Sequence, residues 1–318
     1  MHAITIENGA LVWRERPDPI PAAGEVLLRV RAAGVNRADL QQRAGRYDPP
    51  PGTTDVLGLE AAGEVLEAPE GSPWSPGDRV HTLLPGGGYA DRVTVSERLL
   101  MPTPDTLDDV QAAALPEVHF TAFLNLLLEA GLRPGERVLI HGGASGVGTA
   151  AIQQAREVGA RIATTSSAAK RATCQALGAE RTYDRRDPAW PARLRDAWEE
   201  VDVILDMVGH DTFDADLQLL ATGGRVVWIA TLSGSKVPLD LRTLMRKRLT
   251  LKGSTLRNRP LAEKITIRDA FHATFGDAIA SGRIQPILHE VTDVRDTEYA
   301  HSLLAANGTT GKVILRVP

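Results

Sequence analysis

Apolar and polar positions in the first hundred residues fall into short alternating or apolar runs, at Ala3–Ile6, Val26–Ala33, Ala61–Leu66, Arg79–Thr82 and Arg92–Val95. Turn-forming clusters at Pro19–Gly24, Asp48–Gly52 and Ser72–Asp78 separate them. Short strands at this spacing predict a partly open β-barrel. The texture changes near Asp108, where helical patterns begin over Asp108–Leu115 and His119–Glu129. From Glu136 to about residue 255, strands and helices alternate, with strand candidates at Arg137–Gly142, Arg161–Thr165, Arg181–Asp184, Val201–Met207, Arg225–Ala230 and Leu249–Gly253. Six strands with intervening helices predict a doubly wound parallel sheet, so the fold class is α/β. The last sixty residues carry two helical stretches, Arg268–Ser281 and Glu298–Ala306, and two strand-like pieces, Ile284–Glu290 and Lys312–Val317. They are expected to return to the first region. The predicted organisation is therefore one discontinuous domain, 1–117 with 256–318, and a second domain, 118–255.

The segment ERVLIHGGASGVGTAAI (Glu136–Ile152) joins an apolar strand to an alanine-rich helix through Gly142, Gly143, Gly146 and Gly148. Such a turn aims backbone N–H groups and the positive end of a helix dipole at one spot, which suits the pyrophosphate of a dinucleotide. The spacing is GxxGxG rather than GxGxxG, and a purely structural glycine turn is the alternative. Gly143, Ser145, Gly146, Val147 and Gly148 form the candidate pyrophosphate turn. The next strand ends in Ser166 and Ser167, where an NAD-preferring site places an acid against the ribose 2′-hydroxyl. A carboxylate there would repel a 2′-phosphate, whereas serines can donate to one. Lys170 follows within a helical turn, and Arg185 follows the third strand. Either cation can make charge-assisted hydrogen bonds to a phosphate, or each can be an ordinary solvated charge. Together with the missing acid they point to NADPH rather than NADH.

Composition narrows the rest. At 318 residues the chain is long for one core and comfortable for two. Its net charge of −4 offers no electrostatic footprint for nucleic acid or an anionic membrane. The longest apolar run, near Phe120–Leu128, is too short and too interrupted to span a bilayer, and the N-terminus lacks a signal-peptide pattern. A cytoplasmic location is expected. A single cysteine, Cys174, excludes intramolecular disulfides and a thiolate-rich zinc site, and the eight histidines show no metal-ligand spacing.

A β-rich N-terminal domain, a central dinucleotide fold and a returning tail resemble the medium-chain dehydrogenase/reductase superfamily. Local motifs resemble its zinc-free quinone oxidoreductase branch, closest to the tumour-suppressor-inducible subgroup. They are NRADLQQRAGRY (Asn36–Tyr47), DPPPG (Asp48–Gly52), GLEAAG (Gly58–Gly63), LLPGGGYA (Leu83–Ala90), the glycine turn and GTTGKVIL (Gly308–Leu315). Together they run across the whole chain. GLEAAG takes the place of the GHExxG stretch of the zinc alcohol dehydrogenases, with Leu59 where their metal-binding histidine stands. The branch often carries a tyrosine near the 2′-phosphate where this chain has Arg185.

The resemblance implies a GroES-like catalytic domain, a Rossmann dinucleotide domain, NADPH as cofactor, and direct hydride transfer to a quinone or other conjugated electrophile bound in a cleft between domains. It also implies a homodimer formed through the dinucleotide domains, with Val237–Thr250 near the contact. An isolated carbonyl needs Lewis-acid help to accept hydride, while a conjugated acceptor spreads the incoming charge itself. Asn36 either hydrogen-bonds the acceptor or a cofactor hydroxyl, or caps the helix that begins at Arg37, where Asp39 would be a solvated charge. Tyr47 is either the substrate-stacking group and proton donor, or packs the proline turn. Thr121 is assigned to the nicotinamide region or to a helix-end hydroxyl role. Later strand ends bring Met207, Val208, Gly209, Ala230, Leu232, Leu256 and Arg257 to the cofactor crevice. Asn307 and Lys312 resemble cofactor contacts from the tail. Asp206 reads as a strand-end acid holding loop backbone. Two alternatives stand beside the quinone reductase: a 2-alkenal or enone reductase, and an NADPH-binding structural or RNA-associated protein, which the net acidity disfavours.

Overall fold

The computed structural model describes residues 1–318 and divides into two compact units, Met1–Phe120 with Arg257–Pro318, and Thr121–Leu256. In chain order the first unit holds β1 (His2–Glu7), β2 (Ala10–Glu15), β3 (Glu25–Val35), β4 (Glu60–Glu67), β5 (Arg79–Leu83), β6 (Arg92–Ser96) and β7 (Leu100–Pro102). The second holds β8 (Arg137–His141), β9 (Arg161–Ser166), β10 (Arg181–Asp184), β11 (Val201–Asp206), β12 (Leu220–Trp228) and β13 (Thr250–Gly253). The tail returns β14 (Leu288–Asp293) and β15 (Lys312–Arg316) to the first unit.

In the first unit the sheet runs β14-β15-β3-β4-β5-β7, and β6 also pairs with β3. The tail strand β15 lies antiparallel to β3, with Ile314 opposite Gly34, so residues nearly three hundred positions apart share one ladder. Val313 and Leu315 join Val26, Leu28, Val30, Leu57, Val80 and Leu100 in one buried cluster. Burying these side chains, at about 1.5–3 kcal/mol each, holds the two chain segments together.

The second unit is a six-stranded parallel sheet in the order β10-β9-β8-β11-β12-β13. The order reverses between β8 and β9 on one side and β8 and β11 on the other, which opens a crevice at the carboxyl ends of the central strands. Leu139, Ile204, Val226 and Leu219 pack with Trp190, Trp198 and Phe213 beneath the sheet.

Several boundaries differ from the sequence expectations. Strand β2 is additional to them, although Asn8 and Gly9 between Glu7 and Ala10 both take positive φ, the two-residue turn that Asn-Gly favours. The helix expected from Arg268 begins at Leu261, directly after Pro260, and runs to Ala280. The helix expected over Asp108–Leu115 is the single turn Asp109–Ala112, and that over His119–Glu129 begins at Pro116 and ends in a wider π turn, Leu124–Glu129. Strand β14 starts at Leu288 rather than Ile284.

Candidate active site

In the second unit, β8 leads through Gly142 into the helix Gly146–Val158, with Ser145 as N-cap. The Ser145 hydroxyl accepts from the Gly148 N–H (3.0 Å), and the Thr149 N–H donates to the Ser145 carbonyl (2.8 Å). That leaves the N–H groups of Gly146 and Val147, which have no carbonyl one turn earlier to meet, at the free end of the helix. Gly148 lies against the strand-to-helix turn: a Cβ there would stand 2.2 Å from the Gly142 carbonyl oxygen and 2.7 Å from Gly143. A glycine-walled cradle that ends in open N–H groups fits an anion of pyrophosphate size. Met207 packs on the same turn, its sulfur accepting from the Ser145 hydroxyl (3.5 Å).

The neighbouring strand β9 ends in Ser166, and Ser167 starts the short turn Ala168–Lys170. Arg185, immediately after β10, donates its backbone N–H to the Ser166 carbonyl (2.7 Å). Burial depresses the Lys170 ammonium from its ordinary value, and the charge of Arg185 depresses it further. The two cations therefore share one neighbourhood and repel, a frustration that an anion between them relieves. Asp184, paired with Ser166 across the sheet, turns its carboxylate to the Arg186 N–H (3.1 Å). The structure thus brings Ser166, Ser167, Lys170 and Arg185 together.

Behind these turns sits a buried brace. His141 ends β8, with Nδ1 on the Thr165 hydroxyl and Nε2 on Asp216, both at 2.8 Å. Burial alone would lower the imidazole pKa, but the charge and hydrogen bond of Asp216 raise it. Asp206 ends β11 and accepts from the N–H groups of Val208 and Gly209, the Thr212 hydroxyl and the Trp228 indole. It is the loop-holding acid expected from its place in the sequence. The ligand-type atoms of His141, Asp206 and Asp216 lie within 4.8 Å of one another, yet hydrogen bonds already engage both ring nitrogens and Asp206. The Met207–Gly209 loop is zipped to Ala230–Leu232 and its flank, with Leu232 N–H on the Met207 carbonyl and Ser233 N–H on the Val208 carbonyl. The Leu232 side chain is 55% exposed, Leu256 is buried, and the Thr121 carbonyl accepts from the Asn125 amide.

In the first unit Asn36 is the N-cap residue of the helix Arg37–Arg43, in a capping box with Asp39, whose carboxylate accepts the Asn36 N–H (2.8 Å). Its side-chain amide offers no free donor to a ligand. The amide donates to Glu60 (2.8 Å) and to the Gly34 carbonyl (3.3 Å), and its oxygen accepts from Lys312 (2.5 Å). Lys312 also donates to the Val35 carbonyl (2.9 Å) and pairs with Glu60 at 2.6 Å. All three ammonium hydrogens are therefore engaged inside this unit, against the expectation that Lys312 reaches the cofactor. The cause is Glu60, a fully buried carboxylate that requires a cation and donors. Its second oxygen accepts the Glu117 N–H (2.9 Å).

Asp39 is likewise not a solvated helix charge. It is 0% exposed and accepts from the Asn36 and Gly58 N–H groups and the Tyr89 hydroxyl. Burial pushes its pKa up to about 6, and these donors together with Lys312 limit the rise. Burial and the charge of Glu60 push the Glu117 carboxyl up to about 8, so it is a neutral acid near pH 7. Tyr47 lies under the Arg257 guanidinium, whose carbon is 5.3 Å from the ring centroid. Burial, then the charge of Glu117, raise the Tyr47 phenol pKa and keep it a proton-bearing donor. Asn307 takes a left-handed backbone (φ 56°) and accepts from Arg37 (2.6 Å). Sequence reasoning missed Glu60, Glu117 and Tyr89. The signal for Glu60 was present: an acid heading the small, apolar first half of its strand, EAAG.

The Alcohol dehydrogenase GroES-like domain model matches residues 22–105, and the Zinc-binding dehydrogenase model matches residues 146–271. The quinone oxidoreductase of Sus scrofa is 32% identical over 93% of this chain and 90% of its own. The quinone oxidoreductase of Thermus thermophilus, solved alone and with NADPH, superposes with a TM-score of 0.85 and 34% identity over 99% of this chain and 100% of that one. The CurK enoyl reductase superposes with a TM-score of 0.89 and 26% identity, over 100% and 99%. With a GroES-like N-terminal domain, a Rossmann-like parallel sheet and these relatives, the chain belongs to the quinone oxidoreductase branch of the medium-chain dehydrogenase/reductase superfamily.

Proposed function

We propose that this oxidoreductase uses NADPH to reduce quinones by direct hydride transfer, without a catalytic zinc. The observation that carries the reading is the Lys170–Arg185 pair beside Ser166 and Ser167, at the strand end where an NADH site places an acid. In this reading the free N–H groups of Gly146 and Val147 hold the pyrophosphate, and the serines and two cations hold the 2′-phosphate. Met207 shapes the turn, while Val208, Gly209, Ala230, Leu232, Thr121 and Leu256 are assigned to the flanks of the nicotinamide half. Asn307, tied to Arg37, is assigned to the tail side of the cofactor.

Bound there, the reduced nicotinamide supplies a hydride. The protein's own groups orient the acceptor and manage the proton. Tyr47 keeps its proton through burial and donates it to the reduced product. Asn36 and Lys312 act by fixing Glu60, and through it the start of the helix Pro116–Phe123. Leu59 occupies the position of a metal-binding histidine, and Cys174 is buried beside Thr164 and Ser166 in the other unit, which leaves no thiolate for a zinc site. The exposed apolar side chains Val237, Leu239, Leu241 and Met245, next to the edge strand β13, support a homodimer through this unit. The likeness to an enoyl reductase favours conjugated enones as the second acceptor class.

The test is NADPH oxidation by chelator-treated protein offered an ortho-quinone and a 2-alkenal in parallel, with NADH as control. Faster turnover of the quinone with NADPH is expected. Preference for the alkenal would move the chain to the enone reductases, and equal use of NADH would remove the assigned role of Lys170 and Arg185.

A further inference from the structure

Arg257 carries more than its place at a strand end suggested. The residue belongs to the first unit and is 3% exposed. Its Nε and Nη2 donate to the Pro85 carbonyl at 3.0 and 2.8 Å, and Nη2 also donates to the Gln42 amide oxygen at 2.7 Å. Every oxygen in these bonds is neutral. The third nitrogen, Nη1, is buried and has no hydrogen-bond partner. The guanidinium lies over the Tyr47 ring. Glu117, whose carboxyl is neutral near pH 7, and Lys264, itself nearly buried, complete the titratable surroundings, with Asp39 in the hydrogen-bonded core.

A buried guanidinium remains charged, and a buried donor without a partner is costly, so such a group calls for an explanation. Three features coincide here: a cation fixed by two neutral anchors, one N–H nitrogen without a partner, and an aromatic hydroxyl side chain under its face. That combination suits an oxygen on which negative charge develops.

We propose that Nη1 of Arg257 binds the carbonyl oxygen of the conjugated acceptor and stabilises the charge that this oxygen gains during reduction. The proposal rests on the reading that the acceptor is a conjugated carbonyl reduced by a dihydronicotinamide. In the step, the acceptor forms a new bond to hydrogen using the hydride's electron pair. Its conjugated π bond breaks, and the displaced pair settles on the carbonyl oxygen facing Arg257. The nicotinamide is left oxidised, and a proton from Tyr47, restored from solvent, converts the hydroquinone anion or enolate to the neutral product. Arg257 thus belongs to the acceptor rather than to the cofactor crevice where its sequence position put it.

The test compares the wild type with Arg257→Met and Arg257→Lys in three readouts. NADPH affinity, followed by cofactor fluorescence, is expected to be unchanged. The kcat/KM of Arg257→Met is expected to fall on the order of 100-fold, as for loss of an oxyanion donor. The fall should be steepest for the least electron-poor quinones and partly reversed by added guanidinium ion, with Arg257→Lys intermediate. A uniform loss across acceptors without guanidinium rescue would mean a structural role and overturn the proposal.

The third readout is independent of turnover: 4-nitrophenolate, a stable oxyanion, should bind the wild-type protein with a lowered phenol pKa seen in its absorbance. Arg257→Lys, which keeps the charge should Arg257→Met fail to fold, should bind it more weakly. Absence of binding to the wild type, or equal binding by the variants, overturns the proposal. If nitrophenolate binds as expected but no conjugated carbonyl is reduced, the functional reading fails while the oxyanion site stands.

Discussion

Replacing Gly148 with alanine asks whether the turn is built for close approach. The added Cβ would sit 2.2 Å from the Gly142 carbonyl oxygen and 2.7 Å from the Gly143 backbone. Contact distances between carbon and oxygen are about 3.3 Å, so the helix start and the turn must separate by roughly 1 Å. The helix cannot simply slide, because Ala150, Ala151, Ile152 and Ala155 on it are buried. Overpacking of this kind costs about 1–3 kcal/mol, which for a unit of this size lowers Tm by roughly 3–10 °C. The functional loss is separate. Moving the Gly146 and Val147 N–H groups by about 1 Å takes a phosphate contact out of hydrogen-bond range. Losing one such contact to a charged group, about 1.5–3 kcal/mol, weakens cofactor binding by about 10- to 150-fold. Calorimetric titration with NADPH and a thermal melt measure both effects. Gly159→Ala, at a φ of 83° at the other end of the same helix, is the control. It should lower Tm through backbone strain and leave NADPH affinity unchanged. Full affinity in Gly148→Ala, or equal affinity loss in both variants, would refute the argument.

Other perturbations test the remaining groups. The folded Glu117 carboxyl holds its proton up to about pH 8, against an ordinary value of 4.5. The folded state therefore binds the extra proton between these values, and stability falls as pH rises through that window, by at most about 1.4 kcal/mol per unit. Glu117→Gln should flatten this slope in urea melts and become the more stable protein at pH 8. Lys170→Ala and Arg185→Ala should each weaken NADPH binding by about 10- to 100-fold, with NADH affinity changed little, measured by fluorescence titration. Lys312→Met strands the buried Glu60 carboxylate and should lose about 3–5 kcal/mol in denaturant melts, with much of the loss recovered in Lys312→Met/Glu60→Gln.

The alternation of apolar strand and helical stretch from Glu136 onward is local, and it was enough to find all six strands of the parallel sheet, although β12 starts at Leu220, ahead of the expected Arg225. The glycine turn and the serines at the end of β9 were legible for the same reason, since each consists of backbone or short side chains next to one another in sequence. The buried network of Asn36, Glu60, Glu117 and Lys312 was not. Its members come from the residue just after β3, from β4, from a helix and from β15, and only the pairing of the tail with β3 makes them neighbours. Asn36 was legible as a helix cap, but a single sequence does not reveal that a buried carboxylate also takes its amide. What holds Arg257 was hidden on similar grounds. Its number places it one residue past the second unit, while its guanidinium is held by Pro85 and Gln42, far away in sequence.

The most direct test of the account is the deuterium isotope effect on quinone reduction, using NADPH labelled at the transferred position and protein freed of metal by chelation. Direct, zinc-independent hydride transfer predicts a primary isotope effect on kcat/KM and activity unaffected by the chelator. Activity lost on chelation and restored by zinc, or turnover without an isotope effect and with accumulating semiquinone, would contradict it.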